Sequence, residues 1–304
     1  MTLLKKKSID VFMNVKQISG YLHLNEKKIY EMVNNRVIPA TKVTGKWMFP
    51  KALIDKWMLD STHNGLLRDK LTIAGSDDPL LYRVINDFSA SLGNKAIVAY
   101  SNTSTRTGLE LLNANRVDAC CIHWGPAEES VTRHPSLLQQ YSSSNNWIMI
   151  RAYQREQGLI FSQELQQNLT KISDLFDQQY RWDTHRDGSG SRRFLLEFLS
   201  QNALSIDDLN SASNSFTDRE AASAINLGQC DVAFGTRAIA NEFGLEFTSL
   251  GWENFDLVLS RDIWFRHLFR QLIGQIDSPK SHTIASNLGG YNIEQCGHLI
   301  WGAE

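Results

Sequence analysis

No stretch of this 304-residue chain approaches twenty uninterrupted apolar residues. That is the length a helix needs to cross the hydrocarbon core of a bilayer, so a membrane-spanning protein is excluded. Cysteine is scarce, limited to Cys120, Cys121, Cys230 and Cys296. Adjacent cysteines on a strand point to opposite faces and cannot close an ordinary bridge, and no Cys-x-x-Cys pair is present to hold zinc. Reduced thiols in a reducing compartment are therefore expected. The opening Met1-Thr-Leu-Leu-Lys-Lys-Lys7 is basic but is followed by no long apolar run. No signal peptide is expected, and the chain is assigned to the cytoplasm without contact with a membrane.

Catalytic signatures are also lacking. Ser189 stands in Asp187-Gly-Ser-Gly-Ser191, which is not the Gly-x-Ser-x-Gly elbow that exposes a hydrolase serine. There is no phosphate-binding P-loop and no dinucleotide fingerprint. His123, His185 and His282 share no spacing that singles out a base, and Asp77 and Asp78 suit the first turn of a helix. No catalytic residue, metal site or cofactor is assigned, and the chain is read as not an enzyme.

What is present is an uneven charge. Residues 1–70 hold thirteen Lys/Arg against six Asp/Glu, a balance of +7, and the remainder holds eighteen against twenty-seven, a balance of −9. A basic head on an acidic body fits a polyanion-binding module attached to something else. Within the head, Val15, Ile18 and Leu22 recur on one helical face, and Asn25 caps a second helix from Glu26 to Asn34 with Ile29 and Met32 or Val33 turned inward. Two short helices joined by a tight turn make a helix-turn-helix. Arg36 to Ala40 and Thr41 to Phe49 then predict two short strands turning at Thr44-Gly45, a wing, and Pro50 starts a third helix. Lys27, Lys28, Tyr30, Asn34 and Arg36, with Lys42 and Lys46 at the wing, are the candidate contacts to double-stranded DNA. Trp47 is expected in the core beneath the wing.

The segments Ile18-Ser-Gly-Tyr-Leu22, Lys28-Ile-Tyr30, Arg36-Val-Ile-Pro-Ala40 and Gly45-Lys-Trp-Met-Phe-Pro50 resemble the excisionase-type winged helix-turn-helix of the MerR group. The resemblance implies that the second helix enters the major groove. Ser61 to Gly65 breaks the pattern, and a linker is expected over 63–70.

From Leu71 apolar strands alternate with amphipathic helices, predicting α/β layers around mainly parallel strands. Three loops precede helices, where free amides and the helix dipole favour an anion: Gly75 to Asp78, Ser101 to Gly108 and Arg186 to Arg192. Their hydroxyls and charges make Ser76, Asp77, Ser104, Thr105, Arg155, Arg186, Ser189, Ser191 and Arg192 the candidate ligand-binding residues.

Gly75-Ser-Asp-Asp78, Thr105-Arg-Thr-Gly-Leu109, Arg155-Glu-Gln-Gly-Leu159, Asp231-Val-Ala-Phe-Gly235 and Gly289-Gly-Tyr-Asn292 resemble the cytoplasmic periplasmic-binding-protein-like domain related to molybdate- and tungstate-binding proteins. The resemblance implies two α/β lobes closing on a ligand. Thr105 stands where that pattern has serine, which leaves a small organic acid open beside molybdate or tungstate. The fold expected is thus α/β: a winged helix-turn-helix over 1–62 and a two-lobed type II periplasmic-binding-protein-like domain over 71–304. The function expected is a one-component transcriptional regulator, acting as a homodimer, whose affinity for DNA is modulated by a small anion. Two other readings stay open: an architectural DNA-binding protein with a degenerate sensor, and an enzyme acting in the cleft.

Overall fold

The computed structural model describes residues 12–61, 70–169 and 171–302. The expected linker over 63–70 and the N-terminal basic cluster lie outside the described residues, apart from Lys70. The chain forms two compact units. One holds 12–61 together with 261–270, the other 70–260 together with 271–302.

In the first unit, β1 (Phe12–Asn14) leads into α1 (Val15–Leu22) and α2 (Glu26–Asn34). Each helix is started by an asparagine whose side chain accepts a backbone N–H, Asn14 from Gln17 and Asn25 from Lys28. Such a cap satisfies one of the four amides that a helix start leaves open. Next come β2 (Thr41–Val43), β3 (Lys46–Pro50) and α3 (Lys51–Asp60), with β3 central in an antiparallel sheet between β1 and β2. The β2–β3 turn has positive φ at both Thr44 (49°) and Gly45 (82°), the two-residue geometry that matches strand twist. Ile18, Ile29, Val33, Ile38, Phe49 and Ile54 are buried together. Trp47 is half-buried against them, with the Lys42 ammonium 5.5 Å above its ring. The strand β1 was not expected, because three residues are too few to show a period.

The second unit runs β4 (Lys70–Gly75), α4 (Pro79–Leu92), β5 (Ile97–Asn102), α5 (Thr105–Asn113), β6 (Ala119–Ile122), α6 (Ser130–Leu138), β7 (Trp147–Phe161), α7 (Gln163–Asn168) and β8 (Arg181–Asp183). It continues with α8 (Gly190–Gln201), β9 (Asn210–Ser213), α9 (Asp218–Asn226), β10 (Val232–Thr236), α10 (Arg237–Phe243) and β11 (Glu246–Ser260), and ends with the part of α11 (His267–Ile276) beyond Arg270, α12 (Pro279–Leu288), β12 (Tyr291–Asn292) and β13 (Leu299–Trp301). The strands form one sheet in the order β5-β4-β6-β11-β7-β10-β8-β9. No helix among the described residues is long and apolar enough to cross a membrane.

The sheet is mixed rather than mainly parallel. Parallel triplets, β5-β4-β6 and β10-β8-β9, lie at its ends. Between them run the antiparallel β7 and β11, each of 15 residues. β6 pairs with Asp256–Leu259 of β11, and β10 with Gln157–Phe161 of β7. One end of each long strand thus belongs to one half of the unit and its other end to the other half. Register shifts at Ser249/Gly251 and Phe255/Asp256 bracket the crossing on β11, where extra residues bend a strand. Separate apolar cores serve the two sides: Leu109, Cys120, Ile122 and Met149 in the first, Leu159, Trp182, Leu195 and Phe234 in the second.

Candidate ligand pocket and DNA-reading face

Parallel strands deliver their C-terminal ends to one edge of a sheet, and helix N-termini start there. Both triplets point those ends at the crossing of β7 and β11. From the first half come Ser76 and Asp77 after β4, Thr103 and Ser104 after β5 and His123 after β6; from the second come Ser189, Gly190 and Ser191 at the start of α8 and Phe216, Thr217 and Asp218 at the start of α9. Arg155 on β7 forms the floor. The space enclosed is about 20 Å³, little more than one water requires on the same measure.

The loop after β4 is shaped by close approach. A Cβ on Gly75, at φ 122°, would lie 2.2 Å from the Cys121 carbonyl oxygen, so only glycine fits. The Ser76 amide instead donates to that carbonyl at 3.1 Å, and its hydroxyl meets Thr105 Oγ1 at 2.8 Å. Asp78 caps α4, accepting from the Leu80 and Leu81 amides at 2.9 and 3.0 Å. Ser104, Ser189 and Thr217 cap α5, α8 and α9 in the same way. Asp78 takes two first-turn amides and each of the other three caps takes one, of the four that a helix start leaves open.

Beneath these caps lies a buried charge network. Arg155 Nε donates to Glu253 Oε1 at 2.7 Å, and its Nη1 to Asp78 Oδ2 at 2.9 Å and to the Asp77 carbonyl at 3.0 Å. Arg155 and Glu253 are direct cross-strand partners, and the guanidinium sits 4.7 Å over the Phe255 ring. Burial works against the Arg155 cation, but Glu253 and Asp78 overcome it and hold the group protonated. Glu253 also bonds Gln157 and, at 2.8 Å through Oε2, His123 Nδ1. Burial alone would raise the Glu253 carboxyl, yet His123 and Arg155 bring it down to about 2. The pairing of Nδ1 leaves His123 Nε2 for the cavity. Asp77 is the opposite case: desolvation pushes it up to about 6, helped by Asp78 and Asp218 and resisted by Arg219.

Of the residues singled out by sequence, Ser76, Asp77, Ser104, Arg155, Ser189 and Ser191 meet at this cavity. Thr105 lies behind it on Ser76. Arg186 and Arg192 are not brought there. Arg186 is exposed and stacks over Phe216 at 5.7 Å. Arg192 donates to the Thr184 and His185 carbonyls at 2.9 and 3.0 Å and pairs with Asp187 at 2.7 Å. Arg186 is held by Asn214 and Phe216 of the segment before α9, and Arg192 within its own loop. Sequence reasoning passed over His123, Thr103, Thr217, Asp218 and Glu253. Thr217-Asp-Arg-Glu220 did carry a signal, the Ser/Thr-x-x-Glu spacing of a capping box. Glu253 carried none, because nothing local pairs it with a residue 98 positions away.

On the first unit Lys27, Lys28, Tyr30, Asn34, Arg36, Lys42 and Lys46 are all exposed. Lys27, Tyr30 and Asn34 follow the i, i+3, i+7 spacing on the face of α2 opposite the buried Ile29 and Val33. Lys28 pairs with Glu31 at 2.7 Å.

Comparison with known proteins agrees with both units. Residues 12–61 match the model of a helix-turn-helix domain, and residues 87–277 that of a PBP superfamily domain. A protein of Bacillus subtilis (strain 168), called uncharacterized protein YvgK, is 21% identical over 94% of this chain and 96% of its own length. The structure of PhnD1 from Prochlorococcus marinus (MIT 9301) with methylphosphonate is similar at a TM-score of 0.51 and 15% identity, over 75% of this chain and 93% of that one. The regulatory domain of CcmR from Synechocystis PCC6803 with 2-PG is similar at 0.50 and 11%, over 68% and 94%. The tungstate ABC transporter structure from Geobacter sulfurreducens is similar at 0.51 and 14%, over 72% and 98%. At these identities the likeness to solved structures is one of fold. Over more than half of its length the chain belongs to the PBP superfamily, and a helix-turn-helix domain precedes that part.

Proposed function

We propose that the chain is a cytoplasmic DNA-binding transcriptional regulator whose PBP-like domain binds a small anion and, through it, modulates DNA binding. The observation that carries the reading is the convergence of capped helix starts from both halves of the sheet on one cavity floored by Arg155. Unpaired first-turn amides and the helix dipoles favour negative charge there. The relatives in fold solved with methylphosphonate and with 2-PG, and the tungstate transporter, support the class of ligand. The exposed Lys27, Tyr30 and Asn34 of α2 enter the major groove, while Lys42 and Lys46 meet phosphates. Two copies act together, because one short recognition helix gives limited specificity and paired half-sites double the contacts.

Ligand works by population shift: it favours the state of the domain that binds it more tightly. Thermal melts of the full chain against a panel of oxyanions and small carboxylates test this. A true ligand raises the melting temperature in proportion to log concentration once saturating. DNA affinity is then measured with and without that ligand. A ligand that binds in the cavity but leaves DNA affinity unchanged would refute the switch.

A further inference from the structure

The cavity does not balance as a simple anion site. Arg155 is its buried cation, and Asp78 and Glu253 already occupy it at 2.9 and 2.7 Å. Two further carboxylates, Asp77 and Asp218, line the space. Asp218 accepts the Ser191 hydroxyl at 2.7 Å. Asp77 has no such donor: its side chain is 8% exposed, its Oδ1 is buried without a hydrogen-bond partner, and its Oδ2 lies 3.6 Å from Arg219 Nε. A buried acceptor left open is costly, and more so when charged. An anion without a donor, placed against it, adds repulsion between like charges.

Resting on the anion-site reading above, we propose that the ligand carries an anionic group together with its own hydrogen-bond donor, a P–OH or an ammonium N–H, which it delivers to Asp77, and that the site rejects oxyanions with no proton to give, such as sulfate, molybdate and tungstate. The acidic part of the ligand meets the free amides and Arg155, and its donor completes Asp77 with a charge-assisted bond. A site built to bond a donor discriminates strongly against an analogue that lacks it, because the site's own polar group is then left open. The charged and titratable groups facing Asp77 are Arg219 and Asp218 from α9, Asp78 from its own loop, Arg155 from β7 and Tyr100 from β5. Glu242 of α10 pairs with Arg219 at 3.2 Å and keeps that cation shared.

The test is calorimetry on the full chain at pH 7.5 with four probes: inorganic phosphate, glycine, sulfate and tungstate. Phosphate or glycine binds at least about a hundredfold more tightly than sulfate or tungstate, and which of the two binds tells a P–OH donor from an N–H donor. Asp77→Asn keeps the shape and supplies an N–H. It weakens the donor-bearing ligand about tenfold or more and strengthens sulfate or tungstate by a similar factor, for one charge-assisted bond lost or made. Wild-type protein that binds sulfate or tungstate within threefold of phosphate and glycine overturns the inference and spares the anion site. So does an Asp77→Asn protein with unchanged preference. If no probe binds either protein at millimolar concentration, the anion site itself falls and takes this inference with it.

Discussion

Glu253 and Asp77 face one small space with opposite electrostatics, and pH separates them. The Glu253 carboxyl lies below its ordinary 4.5, at about 2. Its ion pair therefore stabilises the fold fully above the ordinary carboxylate range and is lost as pH falls toward about 2. Glu253→Gln leaves Arg155 and His123 short of a partner, and removing one member of a buried pair costs about 3 kcal/mol or more. Urea denaturation at pH 7 checks this loss, which shrinks as the wild type is itself taken to low pH. Asp77 runs the other way, raised from 3.8 to about 6. Ionising the unfolded group but not the folded one costs stability from about pH 4 upward, reaching up to about 3 kcal/mol above pH 6; the cost shrinks as pH falls below 6 and is gone only near the ordinary 3.8. Asp77→Asn in the absence of ligand raises the melting temperature by several degrees at pH 7.5 and hardly at pH 4. Equal shifts at both pH values would contradict a buried, ionised Asp77. Neither behaviour was legible in the sequence, where Asp77 read as a first-turn acid and a ligand contact and Glu253 was not singled out at all. Burial and the partners of Arg155 decide both.

At the scale of elements, the head was the most legible part. Asn25, the apolar spacing of Ile29 and Val33, Pro50 and the Thr44-Gly45 turn are signals confined to a few adjacent residues, and the elements form where those signals lie. Asn25→Ala removes the acceptor of the Lys28 amide and costs about 1 kcal/mol by chemical denaturation. Lys46→Ala, at the tip of the wing, weakens binding to all duplex sequences similarly and lowers the salt slope by about 1. Asn34→Ala or Tyr30→Ala changes sequence preference instead. Titrations of labelled duplexes at several salt concentrations distinguish these outcomes, and an unaltered slope for Lys46→Ala removes the wing from the interface. In the larger unit the loops after β4 and β5 and before α8 were readable from glycine, serine and the helix that follows. The long β7 does not stand out in the sequence as one strand, because its first half is an apolar run without alternation. A strand covered on both faces carries no period to detect.

For the larger domain as a whole, the two halves meet where Gly190 of α8 lies against the His123 ring. A Cβ at that position would sit 2.1 Å from His123 Cε1. Gly190→Ala forces the halves apart at the cavity, weakens ligand about tenfold or more by calorimetry and, by overpacking against a buried ring, lowers the stability without ligand by about 1–3 kcal/mol. Unchanged affinity would show that the contact between the halves is not needed for binding. The same two halves are also joined where Trp124 Nε1 donates to Glu197 of α8 at 2.9 Å and Arg133 reaches the other Glu197 oxygen at 2.5 Å, with Arg193 5.1 Å from the indole. The sequence by itself determined the winged helix-turn-helix, the alternation of strands and helices and the capped loops, because caps, turns and helical periods are set within a few residues of one another. Only the tertiary structure decided the mixed sheet, the pairing of Arg155 with Glu253, the departure of Arg186 and Arg192 from the cavity and the open oxygen of Asp77. Those depend on which distant strands become neighbours and on how much water their packing removes, and neither is written in any local stretch of the chain.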